Sequence, residues 1–163
     1  HILTEKQIPF HWIYLISSEK QYEDLEKLET KYGNEYVEVH PIYTGDNLPF
    51  FEENVYLAEE DILQSNYDKQ DIFAHQVMNT NFWGRLSVLP DGKVYSNLNH
   101  PPLGTLKDRV YDLIVDEMTS KRAWRWIRDE VSPCKDCLFR YLCPSPSNYE
   151  LVIGKPNLCH VKP

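Results

Sequence analysis

The sequence predicts an α+β fold, and three observations predict it. A β-α-β pattern opens the chain, a hairpin pattern stands at 84–97, and a long helical stretch leads into a segment that holds all four cysteines. With 163 residues, 42% of them hydrophobic and 13% aromatic, the chain can bury a core as one ordinary domain or two small ones. Disorder is not the expectation for such a composition.

The first strand is expected over 10–17, FHWIYLIS, which is β-branched and aromatic. A helix follows over 18–33: Ser18 and Gln21 have capping-box spacing, and Tyr22, Leu25, Leu28 and Tyr32 recur at helical intervals before a stop at Gly33. Alternation over 35–43 predicts a second strand. Strands joined through a helix run parallel, and parallel sheets are normally covered on both faces. The unit therefore reads as the tail of a larger α/β domain whose remainder lies upstream. The first residue, His1, is not Met, which reads as a piece of a longer protein or a processed product.

Residues 44–85 are mixed, with a turn cluster in TGDNLP (44–49) and a short helix in YLAEEDILQ (56–64). Two alternating runs flank Pro90-Asp91-Gly92 and predict the hairpin. Residues 103–131 read as helical, with Leu106, Val110, Leu113, Ile114 and Met118 as the apolar stripe and a break near Thr119-Ser120.

Charge is unevenly spread. Residues 1–72 carry 16 of the 25 acids and 5 of the 17 bases, while the whole chain is at −8. That acidity argues against a general nucleic-acid binder, which needs cations to displace counterions; the acids read as a solvated helix face. The longest apolar runs, such as Trp12 to Ile16, are too short to span a bilayer, and no signal-peptide pattern is present. A cytoplasmic location without membrane or nucleic-acid partners is expected. The sequence has no G-x-S-x-G, no H-E-x-x-H and no phosphate-cradling glycine loop, and it nominates no catalytic acid or base.

The chemistry gathers instead at Cys134, Cys137, Cys143 and Cys159, spaced C-x2-C-x5-C-x15-C. The first pair is close enough for both sulfurs to reach one metal, and the x5 interval permits a loop that brings round a third. Pro144, Pro146, Gly154 and Pro156 allow the return that delivers the fourth. Two disulfides, a structural zinc site and an iron–sulfur cluster all fit four cysteines. A C-x-x-C pair is a poor structural staple, and zinc sites often show two close pairs where this chain has one. His160, beside Cys159, could replace a thiolate at a zinc ion, although a surface role suits it better. Six cations at 121, 122, 125, 128, 135 and 140 stand among three acids at 129, 130 and 136. Such an excess suits a buried anionic centre as well as a solvated basic face. Trp124, Trp126, Phe139 and Tyr141 fit either a shield for that centre or ordinary core.

LPDGKVY, then LG at 103–104, a helix, and CKDCLFRYLC with a later lone cysteine resemble the SPASM/twitch domain. That is the C-terminal auxiliary-cluster domain of radical SAM enzymes that modify peptides and build quinone cofactors. The resemblance covers roughly 84–163, and the ending CPSPSNYELVIGKPNLC looks closer still to the pseudo-radical-SAM proteins of peptide-maturation systems. It implies that Cys134, Cys137, Cys143 and Cys159 ligate one auxiliary [4Fe–4S] cluster, with Zn2+ in the same four-cysteine site as the alternative. It also implies three parts: 1–50 as the tail of a radical-SAM-like partial barrel, 51–83 as a connecting segment, and 84–163 as the SPASM/twitch-like metal-binding domain. The implied partner is a ribosomally made precursor peptide or a maturase enzyme.

The departures narrow that expectation. Where a full SPASM domain has a cysteine after the hairpin, this chain has Ser96 or Asn97. No cysteine occurs in GTLKDR, and Ser147 stands four residues after Cys143. One cluster site of the expected two remains. The C-x3-C-x2-C run that binds the catalytic cluster and S-adenosylmethionine is missing too, so this chain alone is expected not to be catalytic. The parent would be a radical SAM oxidoreductase, or a zinc-stapled or cluster-bearing scaffold that binds a peptide or partner.

Overall fold

A computed structural model describes residues 11–32 and 37–162. The protein is α+β and divides into two compact units, His1–Tyr56 and Leu57–Pro163.

The first unit contains β1 (Trp12–Ile16), α1 (Glu19–Tyr32), β2 (Val37–Pro41) and α2 (Leu48–Asn54). β1 and β2 pair in parallel, from Trp12 opposite Val37 to Ile16 opposite Pro41, as the β-α-β pattern predicts. Phe10, the stop at Gly33 and the first residues of the second strand, 35 and 36, lie outside the described residues. Gln21 does reach back across the helix start, but to Ser17 rather than Ser18: its Oε1 accepts from the Ser17 N–H at 2.7 Å and from Oγ at 3.1 Å. Of the expected stripe, Leu25 is buried while Tyr22 is exposed. Ile16, Leu25, Phe50, Phe51 and Tyr56 are the buried apolar residues of this unit. Phe51 meets Tyr43 edge-on at 5.5 Å. The alternate β1 residues Ile13 and Leu15 are 58% and 57% exposed, so among the described residues one face of the pair is uncovered.

The second unit begins with α3 (Glu59–Leu63) and α4 (Lys69–Val77), both within the segment read as a connector. Asp68 caps α4 by accepting from the N–H groups of Gln70 and Asp71. The hairpin follows as β3 (Ser87–Val88) and β4 (Lys93–Tyr95), and Gly92 takes the positive φ of 78° that its turn demands. A third strand, β5 (Gly104–Thr105), pairs antiparallel with β4. Gly104 is closely approached: a Cβ there would stand 2.7 Å from both Asp108 Oδ2 and Leu113 Cδ2, so those side chains would have to shift.

The helical stretch expected over 103–131 ends at the expected break near Thr119-Ser120, but it starts later and does not resume as an α-helix. α5 spans Val110–Ser120 and stops at Lys121, whose φ is +52°. Residues 103–109 are strand and turn, and the chain beyond 121 holds 3-10 turns at Arg128–Glu130 and Cys134–Asp136. The buried residues of α5 are Leu113 and Glu117; Leu106, Val110 and Ile114 are exposed. The correction has a physical reason. The Glu117 carboxylate accepts from the Ala123 and Trp124 N–H groups at 2.7 and 2.9 Å and from Ser96 Oγ at 2.6 Å. A buried acid that satisfies backbone donors past the helix end is drawn inside beside Leu113 and Met118, at a position that apolar periodicity does not mark. Beside it, Phe82, Ala123 and Trp124 form a core with Leu86, Met118 and Trp126 packed against them. The last helix, α6 (Asn148–Ile153), is capped by Ser147 and ends at Gly154 with φ 72°.

Glu117→Ala would leave three buried donors without a partner. The expected loss is about 3 kcal/mol of unfolding free energy, against below about 1 kcal/mol for Asp116→Ala on the exposed face. Urea unfolding of the two variants checks this, and equal losses would refute the role given to Glu117.

Candidate metal centre

Successive tight turns carry the first three thiols. The Cys137 N–H donates to the Cys134 carbonyl at 3.0 Å, and the Cys143 N–H donates to Phe139 at 2.9 Å. Arg140 braces the loop, with Nη1 donating to the Cys137 carbonyl at 3.1 Å and Nε paired to Asp129 Oδ1 at 2.8 Å. Tyr141 adds a hydroxyl bond to Asp129 at 2.8 Å, and its carbonyl accepts from the buried His75 Nδ1 at 2.9 Å.

The next stretch, 144–147, is held by an Asn-Thr-Asn run after α4. Asn79 is fully buried. Its amide donates to Trp126 at 2.9 Å and Pro146 at 2.8 Å, while its N–H donates to Trp124 at 2.7 Å. Thr80 N–H donates to Ser145 Oγ at 3.0 Å, and the Asn81 amide donates to the Ser145 carbonyl at 3.0 Å. Cys159 arrives by a different device, a parallel bridge to Leu57. Leu57 N–H donates to Leu158 at 3.0 Å, and His160 N–H donates back to Leu57 at 3.0 Å.

These elements bring all four predicted cysteines onto the wall of one small cavity. Ile62, Pro133 and Val161 give it apolar walls, and Arg128, Arg140 and Asn157 supply its polar side chains. All four thiols are free and half-buried. Among the described residues, no three of His, Cys, Asp and Glu converge as ligands of a single ion. The donor set nevertheless fits a thiolate-held group: four sulfurs share the cavity, and N–H donors approach two of them. Arg128 Nη1 lies 3.8 Å from Cys134 Sγ, and Asn157 Nδ2 lies 3.5 Å from Cys159 Sγ.

Arg128 is one of six cations between residues 121 and 140, and nothing in the sequence singles it out. Its guanidinium is buried, donating from Nε to Pro144 at 3.0 Å, from Nη1 to Pro156 at 3.2 Å and from Nη2 to Glu150 Oε1 at 2.7 Å. The other Glu150 oxygen accepts from Ser147 N–H and Oγ at 2.7 and 2.5 Å. Burial works against the Arg128 charge, yet Glu150, Cys134 and Cys143 hold its pKa above the ordinary value. Two expectations fare differently. Lys121 and Arg122 pair with Glu130 and Asp116 rather than facing the sulfurs. Trp124, Trp126, Phe139 and Tyr141 are absent from the cavity wall, and Trp124 is core. His160 is exposed and off the wall as well. At the positions where the resemblance would have further cysteines, Ser96 bonds Glu117, the Asn97 amide donates to Asn148 Oδ1 at 2.7 Å, and Ser147 caps α6.

Burial pushes the Cys143 thiol up to about 11; Arg128 opposes the shift, and the neighbouring Cys159, Cys137 and Cys134 add to it. Cys134 is also raised, by burial first, against the charge and hydrogen bond of Arg128. A thiol that stays protonated in the fold but ionises at its ordinary 9.0 when unfolded favours the fold below that value. The unfolded state binds fewer protons above it, so stability falls with rising pH. The metal-free protein is expected to lose stability between pH 9 and about 11. Cys143→Ser should flatten part of that fall in urea midpoints measured across the range.

No family model matches the chain, and no curated protein or solved structure is detectably similar to it.

Proposed function

We propose that Cys134, Cys137, Cys143 and Cys159 hold one [4Fe–4S] cluster, and that the chain is the C-terminal part of a radical-SAM-like or pseudo-radical-SAM protein of peptide maturation. One observation carries the reading: four free thiols line a single cavity whose wall includes a buried guanidinium. A cluster places its own iron and sulfide atoms between the thiolates, so its ligands need not converge on one point as those of a lone zinc must. When bound, the cluster supplies a one-electron redox centre.

The chain's own residues would perform the rest. Arg128 offsets negative charge at Cys134, and Asn157 donates toward Cys159, both of which favour ionised sulfur. Ile62, Pro133 and Val161 limit water. With all four positions taken by cysteine, no iron is left open to a substrate, so the centre would pass electrons or hold the fold and a precursor peptide in place. On this reading β1, α1 and β2 are the last part of a partial barrel, and the bare face at Ile13 and Leu15 is where such a sheet would be covered.

The test is iron, sulfide and zinc content with a visible spectrum, on protein kept free of oxygen. Roughly four iron and four sulfide per chain support the cluster. About one zinc and no iron, persisting after an attempt at reconstitution, would replace it with a zinc-stapled scaffold that binds a peptide or partner protein. Under either outcome Cys137→Ser is expected to lose the metal and to loosen residues 130–163, seen as faster amide exchange there. A Cys137→Ser protein that keeps both would sink the site assignment. Reductive cleavage of S-adenosylmethionine by this chain should not exceed a no-protein control.

A further inference from the structure

The Arg128–Glu150 pair is the most deeply buried ion pair among those described, with the two side chains 8% and 4% exposed. Its two ends face different surroundings. Arg128 lines the cysteine cavity, and its Nη1 points at Cys134 Sγ. Glu150 is not on the cavity wall; its second oxygen is consumed by the cap of α6. The pair is therefore a dipole with its positive end toward the sulfurs. In a buried site the field of such a dipole is weakly screened. Reduction of a thiolate-held centre adds one electron, taken from an external one-electron donor, with no bond made or broken. Added negative charge is stabilised by a cation at the ligand and destabilised by an anion behind it. Net charge and hydrogen bonds to the sulfurs are among the levers that set cluster potentials.

We propose that Arg128, acting through Cys134, is the positioning residue that sets the reduction potential of the four-cysteine centre, with Glu150 as its counterweight. The inference rests on the cluster reading above. It assigns opposite effects to the two halves of one ion pair. A purely structural role for the pair would instead lower cluster content on losing either partner and would leave the potential without an ordered sign.

The experiment is a redox titration of the loaded protein followed by its visible spectrum, with iron counted in every sample. Glu150→Gln should move the midpoint positive, and Arg128→Gln should move it negative. Each shift should amount to about a tenfold change in the reduced-to-oxidised ratio, equivalent to 59 mV for a one-electron couple. Arg128→Lys, which keeps the charge but not the fork, should recover most of the Arg128→Gln shift. Losing one partner strands the other charge in the interior. The neutral double variant Arg128→Gln/Glu150→Gln avoids this, and its midpoint should move negative by less than that of Arg128→Gln. Iron-loaded variants that shift in the same direction, or not at all, would overturn the proposal while leaving the cluster reading intact. Wild-type protein that takes up no iron would overturn both, and the iron count reports that outcome separately.

Discussion

The cysteine segment depends on one buried guanidinium. Between the second 3-10 turn and α6, and again after α6, the backbone makes little regular structure, so its carbonyls need donors from elsewhere. Arg128 offers five N–H donors in a rigid fork. It places them on Pro144 before α6, on Pro156 after it, and on Glu150 within it. An ammonium group has neither the span nor the geometry to reach all three. Desolvating such a cation is unfavourable unless it is paired and hydrogen-bonded, and Glu150 with the two carbonyls meets that condition. Because Glu150 is itself held by Ser147, the loop that follows Cys143 and the loop that precedes Cys159 are tied to one charge.

The same solution recurs around the unit. Glu117 satisfies amides past the end of α5, and Asn79 ties Trp126 to Pro146. In each case a buried polar side chain substitutes for a strand or a helical turn. This arrangement bears on metal binding. Thiols carried on backbone that is already fixed lose less conformational freedom when a metal arrives than thiols on a loose loop. More of the binding energy then remains as affinity.

Legibility in the sequence followed the range of the interactions. The β-α-β unit and the hairpin were readable because their signals are local: period-two alternation, and a Pro-Asp-Gly turn whose glycine takes the positive φ. The four cysteines stood out by their spacing and by the resemblance, and they share one cavity wall. The break near Thr119-Ser120 was readable too, and α5 ends at Ser120; the burial of Glu117 was not, because an apolar stripe counts Val110 and Ile114 as core and cannot weigh the three hydrogen bonds that pull the acid inside. Arg128 was equally hidden among its five neighbouring cations. What distinguishes it is Glu150, 22 residues away along the chain. β5 escaped notice because two residues carry no periodicity, although Gly104 is a local sign of close packing.

The bridge between Leu57 and Cys159 makes the cysteine cavity discontinuous along the chain. Cys134, Cys137 and Cys143 sit on turns closed by hydrogen bonds between near neighbours in the chain, and such contacts form early. Cys159 reaches them through a partner roughly a hundred residues away, and contacts of that sequence separation are slow to form. Three sulfurs therefore come from one short run of the chain, while the fourth depends on a contact between the two ends of the second unit.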